Sequence, residues 1–475
     1  MVTIASFVCF LLAFTAVGLA SARKSRGTKD DYYLASADVP PWLVGLSAVA
    51  TNNSGYMFIG VIGYTYATGL ASIWLMIGWI AGDFLASLYV HKRLRSAAEA
   101  TGEVSYAGVL SHWQGQSFTH LQRLIGVVSL LFLLTYAAAQ LVAGSKALHV
   151  LLGWPTWSGA VAGAVLVSLY CFAGGIRASI WTDAAQSIVM IFAMGLLLVV
   201  ALLNLGGTSA AVEQMYSIPG FMDYLPREMI FPGLLGLGLF VLSWLFAGLS
   251  VIGQPHVMVR FMALNSASNM RQAKAWYYLW FSLFYLMATG VGLLSRIYLP
   301  DVGAFDAELA LPTMAQQLLP PALVGLMLAG IFAATMSTAD SLLLNCSAAM
   351  THDVLPHKIE STWLLKLSTI VMTALALALA LSENQSVFNM VIMAWSGLAS
   401  AFAPLLIVLC FAGRPSQGLS IAAIIVGFSV ALIWRLCGWH GMIYEGLPGI
   451  VAGLLVLLVP TYMMGAKVAP VVGRS

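Results

Sequence analysis

The chain has 475 residues, of which 60% are hydrophobic and only 8% are Asp, Glu, Lys or Arg. A soluble domain carries about 25% charged residues, so this composition excludes a cytosolic enzyme, a disordered chain and a nucleic-acid binder, and it reads as a polytopic membrane protein. The net charge of +3 points to no acidic partner, and the five cysteines (Cys9, Cys171, Cys346, Cys410, Cys437) stand in apolar segments without metal or redox spacing.

Crossing the hydrocarbon core takes about 20 apolar residues in a helix. The sequence offers thirteen such stretches, near 2–21, 40–66, 68–90, 122–150, 156–174, 180–205, 229–256, 275–298, 320–350, 362–382, 386–411, 418–437 and 446–464. Backbone polar groups in lipid have to be satisfied within the element, which predicts helices throughout and an all-α fold. The longest connections, 91–121 and 206–228, are too short for a soluble domain. The first span is not a cleavable signal: no base precedes it, its apolar run is too long, and no small-residue cleavage site ends it. Arg23, Lys24, Arg26 and Lys29 follow it and hold that end in the cytoplasm. Thirteen spans then place the N-terminus outside and the C-terminus inside. Of the 21 Lys and Arg, 17 fall on the inner side, Arg177 and Arg260 among them, and only Lys146, Arg227, Arg296 and Arg435 fall on the outer side.

The second span has the first unusual chemistry. Its middle reads Thr51-Asn52-Asn53-Ser54-Gly55, before Tyr56. Such residues compete for backbone hydrogen bonds. The stretch is either a small-residue kink or a discontinuous helix whose freed carbonyls face a cavity, as in secondary transporters. The third span carries Asp83, read as an acid near the cytoplasmic end that pairs with Lys92 or Arg93. The fourth carries Tyr136 and, one turn later, Gln140, an amide that serves either a neighbouring helix or a solute. Asp183 enters with the sixth span, and its nearest partner in sequence is Arg177. The seventh ends in Gly248-Leu-Ser-Val-Ile-Gly-Gln-Pro-His256 and stands five spans after the second, the separation of equivalent helices in a five-plus-five inverted repeat. In the ninth, Ser337, Asp340 and Ser341 fall at i, i+3 and i+4, on one helical face. Hydroxyls and a carboxylate facing the carbonyls of a broken helix make an oxygen cage suited to a hard cation such as sodium. Alternatively the Ser and Thr bond back to carbonyls one turn earlier; Asp340 in register favours the cage. Ionisable groups at membrane depth are functional candidates by default, and Asp83, Asp183 and Asp340 are the acids within the spans. His91, His112, His120, His256, His352, His357 and His440 read as interfacial or loop-placed, and His149 lies near an outer helix end. The sequence puts no His/acid or Ser/His/Asp cluster at one depth, which argues against an enzyme, and it has no GxxxxGK[ST] loop for ATP.

Four stretches together resemble the sodium/solute symporter family: Asp31 to Trp42 with the polar break that follows, Ala173 to Gln186, Gly253 to Met262, and Met336 to Leu344. They stand in the family's order over nearly the whole chain. The resemblance implies a leucine-transporter-type core of two inverted halves, 40–205 and 229–411, preceded by an extra helix and loop (1–39) and followed by two helices and a tail (412–475). It implies sodium as the coupling ion and no organic cofactor. Carried over residue by residue, the common sodium site is the carbonyls of Ala50, Asn53 and Ala334 and the hydroxyls of Ser337 and Thr338. A second cation would use Asp183, Ser337, Asp340 and Ser341. Asn52, Ser54, Tyr56, Tyr136, Gln140, Ser250 and Gln254 would meet the solute.

Gly-Gln-Pro-His and the later Gly-Trp-His-Gly and Leu-Pro-Gly stretches look most like the sodium/proline branch. The chain departs from that branch at Asn52 and Tyr56, where members of the branch resemble Asp and Trp, and at Ala247 and Val251, where they place aromatics; fewer rings imply a roomier pocket. The expected function is sodium-driven symport of a small organic solute, proline or another small amino acid, by alternating access. The expected partners are that solute and the lipid bilayer, in a bacterial cytoplasmic membrane. Two alternatives stand beside it: proton coupling through Asp183 or Asp340, and a transporter-like sensor acting through a partner protein, since the chain ends about ten residues past the last span without an output domain.

Overall fold

The computed structural model describes residues 1–226, 229, 231–301, 303, 306–356, 359–382 and 386–463. Residue 464 of the last expected span, His357, and the bases Arg227, Lys358, Lys467 and Arg474 lie outside the described residues. The α-helices in chain order are α1 (Val2–Ala22), α2 (Lys29–Leu34), α3 (Pro41–Gly55), α4 (Val61–Thr68), α5 (Ile73–Thr101), α6 (Tyr106–Ser111), α7 (Thr119–Leu152), α8 (Thr156–Asn204), α9 (Thr208–Ser217), α10 (Gly233–Leu249), α11 (Pro255–Met262), α12 (Met270–Tyr298), α13 (Ala310–Leu318), α14 (Pro321–Ala348), α15 (Thr362–Ser382), α16 (Val387–Cys410), α17 (Gln417–Leu436) and α18 (Gly446–Met463). Ten helical runs among the described residues are long and apolar enough to cross a membrane, and Thr156–Leu169 and Gly446–Val459 are shorter apolar helices. One of the ten, Pro41–Thr101, has 61 residues. At 1.5 Å per residue that is about 90 Å of helix, roughly three hydrocarbon thicknesses, and it contains two of the expected spans.

Most expected boundaries lie close to the helix ends, because the apolar stretch ends where the helix leaves its apolar surroundings. The 156–174 and 180–205 spans instead form the single run α8, in which Gly175 (φ 56°) is the one residue with non-helical angles. The gap left between those two spans begins at that glycine. A side chain there would meet the Tyr32 carbonyl at 2.5 Å.

The second and seventh spans are both broken. In α3, Ser54 has φ 51° and ψ −179°, a left-handed φ that a residue with a Cβ rarely adopts. A π-helical turn, Tyr56–Gly60, then leads into α4. After α10 comes a short 3-10 turn, Ser250–Gly253; Gln254 is extended, and α11 starts afresh at Pro255, a residue suited to a first helical position because it lacks the N–H that would go unpaired there. The two broken segments are tied together. Val39 N–H donates to Ala263 O at 3.1 Å and Asn265 N–H donates to Val39 O at 3.0 Å, joining the approach to α3 with the end of α11.

The interior belongs to α14 and α16, whose apolar windows are 83% and 89% buried, against 17% for α1; polar residues on these two helices therefore face protein. α5 and α10 meet backbone to backbone. A Cβ on Gly82 would lie 1.9 Å from Leu245 O, and one on Gly248 would lie 2.0 Å from Trp79 O. Side-chain clusters tie both ends of the bundle. At one end Glu308 accepts from Lys146 Nζ (2.6 Å), Ser386 Oγ (2.7 Å) and the backbone N–H groups of Val387 (3.1 Å) and Phe388 (2.8 Å). At the other end of α7, Asp353 accepts from Ser105 Oγ (2.6 Å) and Gln122 Nε2 (2.9 Å), and His352 Nε2 lies 2.6 Å from Glu103 Oε2.

Candidate cation and solute site

The last turns of α3 face the middle of α14. Ser337 Oγ donates within reach of Ala50 O (3.2 Å) and Ala334 O (3.1 Å), and Thr338 Oγ1 within reach of Thr51 O (2.9 Å) and Ala334 O (3.3 Å). Four members of the expected sodium set are thus together and buried, with Thr51 as an oxygen the sequence reading did not name. The fifth, the Asn53 carbonyl, accepts the Tyr56 N–H at the helix break. The hydroxyls bond both back to Ala334 and across to α3, so the two readings of this stretch describe one geometry. The contacts converge on oxygen alone, the donor chemistry of a hard cation.

The expected second-cation residues are also brought together, around a charge from another helix. Arg260 of α11 is fully buried. Its Nη2 donates to the hydroxyls of Ser179 and Ser341 and to Asp183 Oδ2 at 3.4 Å, and it stands 3.7 Å from Asp340 Oδ1. Ser47 Oγ donates to Asp183 Oδ2 at 2.6 Å and Ser179 Oγ donates to Asp340 Oδ1 at 2.9 Å. Two carboxylates face one guanidinium, and among the described residues Asp183 Oδ1 and Asp340 Oδ2 have no partner. Arg260 is thus not in an open inner loop: past the second break the chain forms α11, whose residues are all buried in the bundle.

Of the expected solute residues, Asn52, Ser54, Tyr56, Tyr136 and Gln140 lie at the first break, and Ser250 and Gln254 at the second. Tyr136 OH donates to Ser54 Oγ (3.3 Å), which also accepts the Tyr56 N–H (3.1 Å), and Gly55 N–H donates to Gln140 Oε1 (2.8 Å). From Tyr56 a series of ring contacts runs through Trp79 (5.6 Å), Trp395 (5.5 Å) and His256 (6.3 Å) to Tyr136 (5.4 Å), while Phe388 stacks on the Tyr56 ring at 5.4 Å. Gln254 Nε2 donates to Ser250 O (3.1 Å) and Trp395 O (2.8 Å). Tyr56 OH, Gln140 Nε2, Gln254 Oε1 and both ring nitrogens of His256 are buried without a partner among the described residues. The rings expected to be missing near Ala247 and Val251 are supplied from elsewhere: Trp395 Nε1 donates to Ala247 O (2.9 Å) and Tyr444 OH donates to Ser250 Oγ (3.0 Å).

Three placements are corrected. Asp83 pairs with neither Lys92 nor Arg93, which lie about 13 to 15 Å further along the same helix; it accepts from Tyr277 OH (2.6 Å) and Tyr278 OH (2.7 Å) of α12. Arg177 does not pair with Asp183, six residues on and on another face; it donates to Asp31 Oδ1 at 2.6 Å. Burial pushes the Asp31 carboxyl up, but hydrogen bonds and charge from Arg177, with the Arg26 N–H and Ser36, bring it below the usual carboxylate range. His91 and His256 are fully buried, and buried His352 beside Glu103 and Asp353 forms a His/acid cluster that the sequence did not reveal.

The family model of the sodium:solute symporter family matches residues 32–427. The chain belongs to that family. This symporter is 29% identical to the sodium/proline symporter of Escherichia coli (strain K12), over 96% of this chain and 91% of that protein. It is 30% identical to the high-affinity proline transporter PutP of Bacillus subtilis (strain 168), over 91% and 92% of the two. It is similar in fold to a Na+-coupled sialic acid symporter solved in a substrate-bound outward-open state, with TM-score 0.82, 19% identity and 98% of both chains covered. A nucleobase-cation-symport-1 family transporter matches with TM-score 0.58 at 15% identity, over 93% of this chain and 96% of that one. The symporter is an all-α, multi-pass membrane protein of the leucine-transporter type. It couples solute movement to sodium and is a transporter, not an enzyme.

Proposed function

We propose that the symporter takes up a small zwitterionic amino acid, proline foremost, together with sodium. The observation that carries this reading is the likeness to proline transporters over more than nine-tenths of the chain. Sodium sits between α3 and α14, on the Ala50 and Ala334 carbonyls and the Ser337 and Thr338 hydroxyls, with the Asn53 carbonyl turning in when the break rearranges. The solute docks against Asn52, Ser54, Tyr56, Tyr136, Gln140, Ser250 and Gln254, several of which carry buried polar atoms without a partner among the described residues. Residues 40–205 and 229–411 act as two inverted halves that rock about this point, in a chain of thirteen crossings with its N-terminus outside a bacterial cytoplasmic membrane. The sodium gradient and about 2.3 kcal/mol per charge per 100 mV of membrane potential supply the work.

Thermal stability of the detergent-purified symporter across a solute panel, with and without sodium, tests the substrate: a stabiliser that needs sodium is the substrate. Ser337→Ala with Thr338→Ala is expected to weaken sodium at least about tenfold, roughly 1.4 kcal/mol, read as the sodium concentration for half-maximal uptake in proteoliposomes. Unchanged sodium dependence would refute the assignment. One observation favours a second reading. Two acids against one guanidinium leave a buried excess negative charge, which is costly, so Asp183 and Asp340 suit a second cation or a coupling proton. Uptake that ignores sodium and collapses with a protonophore would establish proton coupling.

A further inference from the structure

Asp83 is fully buried on α5, beside the first break. The groups bonded to it are neutral: Tyr277 OH donates to Oδ2 at 2.6 Å and Tyr278 OH to Oδ1 at 2.7 Å. Asn52, two residues before Ser54, donates its side-chain amide to the Tyr277 hydroxyl oxygen, and Asp83 Oδ2 lies 3.4 Å from the same amide nitrogen. Lys274, the nearby base, donates to Ser87 O at 3.3 Å.

Proton counting gives this chain a direction. A tyrosine hydroxyl has one proton, and an ionised carboxylate only accepts. With Asp83 ionised, the form that the two phenolic donors on its oxygens favour, Tyr277 commits its proton to Asp83 and offers Asn52 a lone pair alone. Asn52 must therefore meet it with its NH2 group, which turns Oδ1 the other way. That oxygen is buried, with no partner among the described residues, next to Asn53, whose amide also has none. A neutral group at position 83 would remove the constraint and let the amide face either way. Three apolar side chains would fill the same space at less cost than a buried carboxylate without a paired cation, so the arrangement calls for a reason beyond packing.

We propose that Asp83, acting through Tyr277, is a positioning residue that fixes Asn52 Oδ1 as an acceptor at the helix break for the cationic end of a ligand. The proposal rests on the symport reading. Two sources share that chemistry, sodium and a substrate ammonium, and the test separates them. Sodium chloride titration of the purified protein, followed by thermal stability without solute, is the sodium arm. Proline at saturating sodium, against cyclopentanecarboxylate, which lacks the amine, is the ammonium arm.

Asp83→Asn and Tyr277→Phe are each expected to weaken at least one arm about tenfold, while maximal uptake stays within about twofold. Weakened sodium binding assigns the acceptor to the ion, and weakened proline binding alone assigns it to the ammonium. Asn52→Asp should fail by setting two carboxylates side by side. The exchange Asn52→Asp with Asp83→Asn keeps one acid, a Tyr277 acceptor and an oxygen facing the break, and is expected to return affinity to within about threefold of the parent. Parental affinities in Asp83→Asn and Tyr277→Phe, or an exchange variant no better than its single changes, would overturn the proposal. If the unaltered protein answers sodium but not proline, the proline reading falls and the sodium arm decides this one.

Discussion

Arg260 concentrates the electrostatics of the site in one side chain. It is the positive charge bonded between Asp183 and Asp340, and both acids are fully enclosed. Removing one partner of such a cluster leaves a buried charge uncompensated, at a cost of about 3–5 kcal/mol. Arg260→Met is therefore expected to lower the melting temperature in detergent sharply. Adding Asp183→Asn and Asp340→Asn to it should restore most of the loss, because the penalty lies in the buried, uncompensated charges and not in the missing contacts. The two acids were legible as candidates because carboxylates at membrane depth are rare. Their arginine was not, because a base shortly after a glycine-rich break looks like any base that follows a span. One signal was available: Arg260 is the sole charge in Pro255–Met262, beside apolar Val257, Met258, Val259, Phe261 and Met262. Asp83 misled in the opposite direction. Basic residues later on its helix offered an obvious partner, whereas its hydroxyl donors come from α12, about 195 positions away.

Hydropathy made the helices legible because each must match the thickness of the lipid, and the polar runs at 51–55 and 248–256 marked both breaks. What hydropathy does not carry is how closely neighbours approach. α5 and α10 touch at their backbones because Gly82 and Gly248 present no side chain, yet in sequence these are two of 44 glycines. Gly82→Ala places a methyl group against an immovable carbonyl, and overpacking of this kind typically costs about 1–3 kcal/mol. The expected outcome is a lower melting temperature, with loss of uptake in proportion to the folded fraction. An alanine at Gly418, which has open space around it, serves as the matched control and should leave the melting temperature unchanged.

The molecule is tied at both ends of α7, and each tie depends on a carboxylate from another element. Glu308 gathers four donors, two of them backbone N–H groups that open α16. Glu308→Gln removes the charge that strengthens those bonds, at about 1.5–3 kcal/mol, and so favours opening at that end by roughly tenfold or more. Tyr64 stacks on Phe388, whose backbone N–H is part of the tie. A cysteine placed there, in a background without exposed Cys9 and Cys437, should react faster with an impermeant thiol reagent when Glu308→Gln is present, and no faster if the contact is incidental.

Lys146 and Gln122 belong to the same straight rod, about 36 Å apart at 1.5 Å per residue, and each anchors one of the two ties. Either end can come undone while that rod stays where it is. For distance measurements by paired spectroscopic labels, α7 is thus the natural origin of coordinates. A label on it shares its frame with both ends, and the informative second labels belong at the start of α16 and around residues 349–354.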